Sequence, residues 1–401
     1  MLDVSDVPLR WSKHLDKWLA PFLDVLGDKR RRRWAPLYIM GLLLPGERKS
    51  MQPISSRVAP DDVEQIHHFV ATSCWDTAPL EEVLWQKADA LLGGEKSFLI
   101  VDDTALPKKG TASVGVAHQY CGALGKQANC QVLVSLTLAR NEIFVPVGLR
   151  LYLPKPWKSD RKRCERAKVP DEVSYRPKWQ IALEEIDRMR EGGLIFGCTL
   201  ADAGYGMCAE FRRGLSKREI SWAVGILSTQ NMYVDDVKVT MPPRGLGRPR
   251  VHPKASASPI SAEKYIEAHG AFRRVSWRKG TKGLLEGDFA IVRVRPADGP
   301  ESKDGVHLPG DPAWLVCERL SNGDRKYYLT SLPASASRKK IVGTIKARWA
   351  CEQGHQQMKE ELGLDHFEGR TWWGLHHHAL LTMIAFAFLQ TLRLNENKDA
   401  A

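Results

Sequence analysis

The stretch SFLIVDDTALPKKG, residues 97–110, decides how the fold of this chain is interpreted. Its apolar first half is typical of a buried strand, which then runs into two adjacent carboxylates, Asp102 and Asp103. A buried carboxylate is costly unless it is paired or binds a metal ion. The pattern therefore predicts a strand that either reaches the surface here or meets a cation.

A second predicted strand ends in the same way, because the stretch LIFGCTLA at 194–201 is followed by Asp202. Between the two lie predicted strands at 130–139 and 143–152, joined by a hairpin turn, and a predicted helix at 178–190. A short helix and a fifth strand at 219–227 follow. The order β-β-β-α-β-α-β predicts a mixed α/β fold with an RNase H-like core of the retroviral integrase type.

The rest of the chain divides around this core. Residues 1–92 read as helices and are interpreted as a DNA-binding region, with a plain helical subdomain as the alternative. Residues 93–231 form the first part of the core, and 232–324 are a β-rich insertion that begins in a Pro/Gly-rich segment. Residues 325–401 return to the core and carry one long helix at 337–362 and a second, apolar helix at 376–394.

The net charge favours a polyanionic partner, because the chain has 59 Lys and Arg but only 47 Asp and Glu, which gives a net charge of +12. The eight cysteines contain no CxxC pair, which is typical of reduced thiols in a cytosolic protein. The N-terminus has no apolar region of a signal peptide. No segment reaches the length of a membrane span, and the most apolar run, 379–389, is interpreted as a buried core helix. We therefore expect a cytoplasmic protein without membrane contact.

A third acid lies in the long helix, where Arg348, Glu352 and Lys359 fall on one face together with His355. A solvent-facing ladder of ion pairs is the alternative interpretation. If Asp103 and Asp202 meet Glu352, such a cluster needs cations to stay ionised, and Mg²⁺ prefers oxygen ligands. Two Mg²⁺ ions would support phosphoryl transfer on DNA, with basic side chains holding the neighbouring phosphates.

The chain resembles the DDE transposases of bacterial insertion sequences, in particular the insertion sequence 701 group. The stretches that carry the resemblance are FLIVDDTALPKKG, VGVAHQYCG followed by NCQV, LADAGYG and RWACEQGHQQMKEELGLDHFEGRTW. The resemblance implies that Asp103, Asp202 and Glu352 bind two Mg²⁺ ions, which Mn²⁺ can replace, and that Arg348 and Lys359 contact DNA. One departure is Ile345, where related signatures have a tyrosine.

By the same resemblance, the partners are double-stranded DNA, as terminal inverted repeats and target, and a second copy of the chain in a homodimer. The protein would act in the bacterial cytoplasm at the nucleoid. Two alternatives remain open: a nuclease of the same fold without strand transfer, and a transposase-derived DNA-binding regulator, against which the intact acids argue. The further predicted DNA contacts are Lys108, Lys109, Arg30, Arg31, Arg32, Arg33, Arg248 and Arg250.

Several residues have two possible roles on the evidence of the sequence. Strand alternation sends Asp102 and Asp103 to opposite faces; the family's Asp-Thr pairing favours Asp103 as the metal ligand and leaves Asp102 as a supporting or surface acid. The Arg-Pro-Arg segment at 248–250 is either a minor-groove arm or a solvated linker. The residues that are read mainly as packing or helix-start residues, with a site role as the alternative, are His376, His377, His378, Trp372, Trp373, His118 and Gln119.

Overall fold

The computed structural model describes residues 9–241, 253–280, 283–301 and 305–399. These residues form a mixed α/β protein, the class that the sequence predicts, in two compact units. The first unit comprises Met1–Gly197 and Trp349–Ala401, and the second comprises Cys198–Arg348. The predicted domain borders at residues 92, 231 and 324 do not coincide with the borders of these two units and stay a prediction.

The first unit begins with helices, as predicted for this region. Asp28 caps the second helix, since its carboxylate accepts a hydrogen bond of 2.7 Å from the backbone N–H of Arg30. A 3₁₀ turn and a π-helical turn flank the short fourth helix. The bounds are α1 Leu9–Val25, α2 Lys29–Leu43, α3 Met51–Val58, α4 Val63–His67 and α5 Ala78–Leu92.

The antiparallel sheet of the first unit follows directly. Strand β3 pairs with β1, β2 and β4, and the predicted hairpin between β3 and β4 is confirmed, with Asn141 at a positive φ of 58° in its turn. Three helices come next in the chain. The bounds are β1 Gly94–Pro107, β2 Ala117–Cys121, β3 Lys126–Arg140, β4 Ile143–Leu151, α6 Lys155–Lys158, α7 Arg161–Arg166 and α8 Lys178–Glu191.

The charged composition of residues 155–168 predicts a solvated linker, but the segment is folded. It contains α6 and α7, and the Trp157 side chain within it is fully buried. The indole N–H of Trp157 donates a 2.9 Å hydrogen bond to the carbonyl of Val116. One aromatic anchor thus folds a segment whose composition is otherwise typical of a loop.

The second unit contains a parallel pair followed by antiparallel strands. Residues Thr199–Ala201 of β5 pair in parallel with β6, and β6 continues into the order β6-β14-β13-β12-β7-β10. The bounds are β5 Phe196–Ala201, α9 Ala203–Gly206, α10 Ala209–Lys217, β6 Trp222–Ile226, β7 Asn231–Val234, β8 Val239–Thr240, β9 Lys254–Ala255, β10 Ile260–Ser261, α11 Ala262–His269, β11 Arg273–Gly280, β12 Gly283–Pro296, β13 Ala313–Arg319, β14 Arg325–Thr330 and α12 Arg338–Lys346.

The described part of the predicted insertion is rich in strands, as expected, but it also contains helix α11, which the sequence reading missed. Most of its strands belong to the same sheet as β6, whereas β8 and β9 form a separate two-stranded sheet. A buried ion pair ties this region to α10, since Arg212 donates to the carboxylate of Asp298 at 2.9 Å with both side chains under a tenth exposed. Four antiparallel strands, then helices and a parallel pair of strands thus follow one another along the chain, which agrees with the predicted mixed α/β class.

Two helices complete the first unit: α13 Trp349–Glu360 and α14 Trp372–Asp399. The prediction of one continuous helix at 337–362 is wrong. Helix α12 ends at Lys346, where the N–H of Ala347 bonds to the carbonyl of Thr344 three residues back, and Arg348 lies in the turn before α13. Arg348 is therefore not on the helix that carries Glu352.

Helix α14 is the core helix of the first unit. Its stretch Trp372–Asn395 is long and apolar enough to cross a membrane by length and composition alone, so the expectation that no segment reaches this length is wrong. However, 83% of the apolar 18-residue stretch within it is buried in the protein. The Phe388 ring, for example, lies 6.2 Å from that of Trp18 on α1. The interpretation as a buried core helix agrees with this burial.

Candidate functional site

The two acids of β1 occupy neighbouring positions on opposite faces of the sheet. Asp102 lies opposite Ser135 of β3 and Asp103 lies opposite Val134. Cross-strand partners share a face, so each acid has its own surroundings. Both carboxylates are half-buried, whereas the preceding Val101 is fully buried. The predicted strand is thus present, but it continues past both acids to Pro107, and the two acids differ in environment.

Asp103 forms an ion pair with Lys178, the first residue of α8. The Lys178 ammonium lies 2.5 Å from the Asp103 carboxylate, and both side chains are about one-third exposed, at 33% and 32%. The same ammonium lies 5.4 Å above the ring of Tyr152. The cation that the sequence predicted next to this strand end is therefore, for Asp103, a lysine of the chain.

Asp102 bridges its neighbour to helix α13. One carboxylate oxygen accepts a 2.8 Å hydrogen bond from the backbone N–H of Asp103, and the other lies 3.2 Å from the thiol of Cys351. A second contact lies alongside, because the Ser135 hydroxyl is 2.5 Å from Nε2 of His355. Cys351 and His355 are four residues apart on one face of α13. This face thus meets the face of the sheet that carries Asp102.

Glu352 is exposed and lies in the first turn of α13, directly after the buried Cys351. Lys359, at the other end of the helix, donates a 3.0 Å hydrogen bond to the carbonyl of Ala105 on β1. Burial lowers the pKa of Lys359. Lys359 is thus half-buried against the strand and not a member of a purely solvent-facing ladder.

A glycine lets α13 approach the sheet closely. A Cβ at Gly354 would lie 3.3 Å from two ring carbons of Phe144 on β4. Such a distance is tighter than ordinary van der Waals contact, so a larger side chain would push the helix outward. The glycine that weakens this helix by propensity is explained by the packing of α13.

In the second unit, Asp202 follows β5 and caps α9. Its carboxylate accepts a 3.2 Å hydrogen bond from the backbone N–H of Tyr205, and the side chain is half-buried. The neighbouring strand leaves room for this turn, since a Cβ at Gly225 of β6 would lie 3.0 Å from the backbone nitrogen of Ala203. The prediction that this strand ends on Asp202 is confirmed.

Asp202 lines a cavity of about 420 Å³ within the second unit, together with the basic side chains of Arg325, Lys326 and Arg348. Ile345, which stands where related signatures have a tyrosine, lines it as well, and so does Tyr328 of β14. The cavity thus combines one carboxylate with three cations and two tyrosines, Tyr327 and Tyr328. The sequence reading missed Arg325 and Lys326, although both follow an Asn-Gly turn in a basic run.

One wall of this cavity is held by a buried acid. Glu318 of β13, only 5% exposed, accepts hydrogen bonds from the Lys346 ammonium at 2.8 Å and the Tyr328 hydroxyl at 3.1 Å. Burial, and then the Glu318 charge, raise the pKa of Tyr328. The Tyr328 hydroxyl therefore stays protonated at neutral pH and donates to Glu318.

The other predicted DNA contacts lie in varied surroundings. Lys108 is half-buried, donates to the Phe367 carbonyl at 2.7 Å, and has a pKa lowered by burial, whereas Lys109 is exposed. Arg33 pairs with Asp62 at 2.9 Å and lies over the ring of Trp34. Arg30 and Arg32 are exposed and Arg31 is half-buried. Arg248 and Arg250 lie outside the described residues, as does the proposed minor-groove arm.

The histidine triplet does not form a metal site. His376 to His378 lie early in α14 and are buried, and each bonds within the protein: His377, for example, lies 3.0 Å from the Val70 carbonyl and 2.8 Å from that of Trp75. Trp372 starts the helix, 4.3 Å from the His376 ring. The interpretation as helix-start and packing residues agrees with these contacts. On β2, His118 is exposed and Gln119 bonds to the Cys130 carbonyl.

The donors around the candidate acids suit a hard cation, since carboxylate oxygens are the ligands that Mg²⁺ and Mn²⁺ prefer. In the part of the chain that the structure describes, no three His, Cys, Asp or Glu side chains are grouped closely enough to hold a metal ion. No disulfide joins the cysteines, as the sequence predicts.

Comparisons with known proteins bear on this arrangement. A family profile described as "DDE superfamily endonuclease" matches residues 21–284. The probable transposase for insertion sequence element IS701 from Microchaete diplosiphon is 29% identical over 224 residues, which are 56% of this chain and 56% of that protein. The chain thus spans about half the length of this curated relative. The predicted resemblance to the insertion sequence 701 group is confirmed.

A solved structure is also similar. The cryo-EM structure of the piggyBac transposase synaptic complex with hairpin DNA matches 98% of this chain and 74% of that chain, at 9% identity and a TM-score of 0.44. The region that the family profile matches contains Asp102, Asp103 and Asp202 but ends before Glu352. The third acid therefore rests on the resemblance of its local sequence.

Proposed function

The chain belongs to the DDE superfamily endonucleases, and from this premise we propose that it is a DNA transposase. It would bind the terminal inverted repeats of its element, cleave DNA, and join the freed 3′-ends to target DNA. The observation that carries the proposal is the profile match over residues 21–284, which covers β1 with its two acids and the strand that ends before Asp202. The relative named as a probable transposase supports strand transfer over cleavage alone.

The acids proposed for catalysis are one carboxylate of β1, Asp202 and Glu352. The sequence favours Asp103 as the β1 acid. Two Mg²⁺ ions, or Mn²⁺ in their place, would activate the attacking water or 3′-hydroxyl and stabilise the leaving oxygen. The three carboxylates would hold and orient these ions. The exposed position of Glu352 and the half-buried position of Asp202 leave both accessible to solvent ions.

The cavity beside Asp202 is the proposed place for DNA phosphates near the reacting one. Arg348 supplies the cation that the resemblance implies, and Arg325 and Lys326 add two more. Guanidinium groups suit phosphate because they donate two parallel hydrogen bonds. Lys359 and Lys108, whose ammonium groups are bonded to backbone carbonyls, would reach DNA only by exchanging these bonds.

The helical region would contact the transposon ends. The basic run Arg30 to Arg33 opens α2, where exposed cations add to the positive helix N-terminus. Lys109, Arg248 and Arg250 stay proposed as further contacts. Pairing of the two DNA ends would require a homodimer. The whole reaction would take place on the chromosome, in the bacterial cytoplasm.

The test uses purified full-length protein with labelled duplexes that carry the DNA flanking this gene on either side. With Mg²⁺, specific cleavage followed by joining to a plasmid is expected. Cleavage without joining would support the endonuclease alternative. Binding without any cleavage would overturn both enzymatic functions and leave the DNA-binding regulator.

A matched pair of variants locates the chemistry. Asp202→Asn keeps an oxygen that can cap α9 but removes the charge, so we expect a folded protein without cleavage activity. The control is Asp171→Asn, a change at an exposed acid in a loop, for which we expect wild-type cleavage. Equal activity of both variants would remove Asp202 from the proposed site.

A further inference from the structure

The basic segment at 155–168 has no part in the proposed site, although it concentrates positive charge. It contains seven Lys or Arg and only two acids, Asp160 and Glu165. It folds into α6 and α7, both of which belong to the first unit. The ammonium of Lys168 bonds to the Thr72 carbonyl at 3.4 Å, and Arg163 is half-buried. The five other bases are exposed, and we call them the basic platform: Lys155, Lys158, Arg161, Lys162 and Arg166.

We propose that the basic platform binds the phosphate backbone of duplex DNA without reading its sequence. The inference rests on the proposed function, to which it adds a contact surface outside the site of the acids. Lys and Arg neutralise phosphates, and such contacts position DNA but carry no sequence information. The segment contains no Asn or Gln to read adenine, and its one aromatic residue, Trp157, is fully buried and cannot stack on bases. Arginine can also read guanine, so a comparison of two DNA sequences separates the two kinds of contact.

Contacts with the rest of the first unit hold the platform in place. The Arg163 guanidinium lies 4.0 Å from the centroid of the buried Trp157 ring, and it donates a 2.7 Å hydrogen bond to the Thr111 carbonyl. At the end of α7, the Ala167 carbonyl accepts a 2.8 Å hydrogen bond from the backbone N–H of Trp372. A surface that is ordered before binding loses less entropy on binding than a solvated linker does.

Most of the charge of the platform is not neutralised within the protein. Arg161 pairs with Glu165 at 3.2 Å, but the two side chains are 89% and 63% exposed, so this pair contributes little. Among the residues that the structure describes, Lys158, Lys162 and Arg166 form no ion pair. Lys162 and Arg166 stand four residues apart on α7, and like charges at this spacing destabilise a helix by about 0.2–0.5 kcal/mol. A polyanionic partner would relieve this repulsion.

The platform is attached to the segment that continues β1 beyond its acids. Arg163 bonds to Thr111, which follows the end of β1 at Pro107. The part of the strand from Asp103 to Pro107 is about 13 Å long. This length corresponds to about four base-pair steps of duplex DNA at 3.4 Å each. Lys109, which is exposed, lies between β1 and Thr111 and adds a further cation. DNA that is bound to the platform could therefore extend along this segment towards the acids.

A solvated face that only keeps the protein soluble is the competing explanation. The two explanations differ in the salt dependence of DNA binding. Each phosphate that a cation neutralises contributes about −0.9 to the slope of log affinity against log salt concentration. Loss of three such contacts should flatten the slope by about 3, whereas removal of three solvated charges should leave it unchanged.

The experiment compares two triple variants of the full chain that remove the same charge. Binding is measured by fluorescence anisotropy between about 50 and 200 mM salt, without Mg²⁺, on two labelled duplexes of equal length. One duplex carries DNA that flanks the gene, and the other has an unrelated sequence. Circular dichroism checks that both variants are folded. The platform variant is Lys158→Gln, Lys162→Gln and Arg166→Gln, and the control variant, at exposed lysines outside the platform, is Lys17→Gln, Lys96→Gln and Lys217→Gln.

We expect the platform variant to bind both duplexes more than about 10-fold more weakly than the wild type at about 100 mM salt, with the slope flattened by about 3. The control variant should keep the wild-type slope. An unchanged slope in the platform variant, or equal changes in both variants, would overturn the inference. A loss confined to one of the two duplexes would overturn its sequence independence.

The outcome for the platform is separable from that for the proposed function. If the wild type binds DNA but does not cleave it with Mg²⁺, the proposed enzymatic function fails, while the salt slopes still decide whether the platform binds phosphates. If the slopes do not change but the wild type cleaves and joins DNA, only the inference about the platform fails.

Discussion

A buried ion cluster in the first unit leads to a prediction about stability. Glu81 of α5, with a side chain only 4% exposed, accepts from Arg150 of β4 at 2.5 Å and from Arg188 of α8 at 2.7 Å. Glu185 of α8 pairs with the same two arginines at 2.9 Å each. Two acids and two bases thus join a helix, a strand and the helix that begins at Lys178. Removal of one acid leaves a buried excess of positive charge.

The magnitude follows from the pKa of Glu81. Burial alone would raise this pKa, but Arg150 and Arg188 outweigh it and lower it from 4.5 to about 2. A folded pKa below the unfolded value means that the stabilisation is complete above pH 4.5 and is lost as the pH falls towards 2. The shift corresponds to about 3 kcal/mol of unfolding free energy. Glu81→Gln should cost about 3–5 kcal/mol at pH 7, the usual loss when one partner of a buried pair is removed.

The assay is urea unfolding at pH 7 and at pH 3, followed by circular dichroism. The control is Glu184→Gln on α8, next to Glu185 of the cluster, because the pair of Glu184 with Arg176 is more than one-third exposed and should contribute less than about 1 kcal/mol. The wild type should lose more stability than Glu81→Gln between pH 7 and pH 3. A cost of Glu81→Gln below about 1 kcal/mol at pH 7, or an identical loss on acidification, would refute the reasoning.

Three further predictions concern other parts of the chain. Burial lowers the pKa of His378 from 6.5 to about 4, so its neutral form stabilises the fold above pH 6.5. About 2 kcal/mol of unfolding free energy should be lost between pH 6.5 and pH 5. A flatter pH dependence of thermal unfolding in His378→Gln would verify this. Gly354→Val should lower the unfolding free energy by about 1–3 kcal/mol, because its side chain would meet the Phe144 ring; an unchanged urea midpoint would contradict the packing argument. The double change Arg325→Ala and Lys326→Ala should weaken DNA binding and flatten the slope of log affinity against log salt by about 2, measured by fluorescence anisotropy; an unchanged slope would exclude the cavity from the DNA contact.

The strands that carry acids could be predicted from the sequence because their signal is local. An apolar run that meets a carboxylate indicates a buried strand, and both strands are present. Asp202 directly follows β5, as this signal predicts, whereas β1 continues past Asp103 to Pro107. The β3–β4 hairpin has an equally local signal in its turn at Asn141. Hydrophobic periodicity and turn residues are sufficient to predict such elements.

Other features depend on contacts that no local pattern carries. The break at Ala347 and Arg348 contains no Gly or Pro, and residues 337–362 keep a helical period across it, so sequence favours one helix. The segment at 155–168 is folded by the burial of Trp157, one residue in a charged run. In both cases tertiary packing overrides composition. The basic residues of the cavity were missed for the same reason, since Arg325, Lys326 and Arg348 come together only through the sheet.

The assignment of Asp102 or Asp103 shows where a motif stops being informative. Two adjacent acids on a strand are equivalent in composition and differ only in the face they occupy, and the face is set by what packs on each side of the sheet. Here one side carries Lys178 and the other carries Cys351 next to Glu352. The motif alone therefore does not say which of the two acids the reaction needs, and exchange of each acid in turn for Asn tests this with the smallest change of shape.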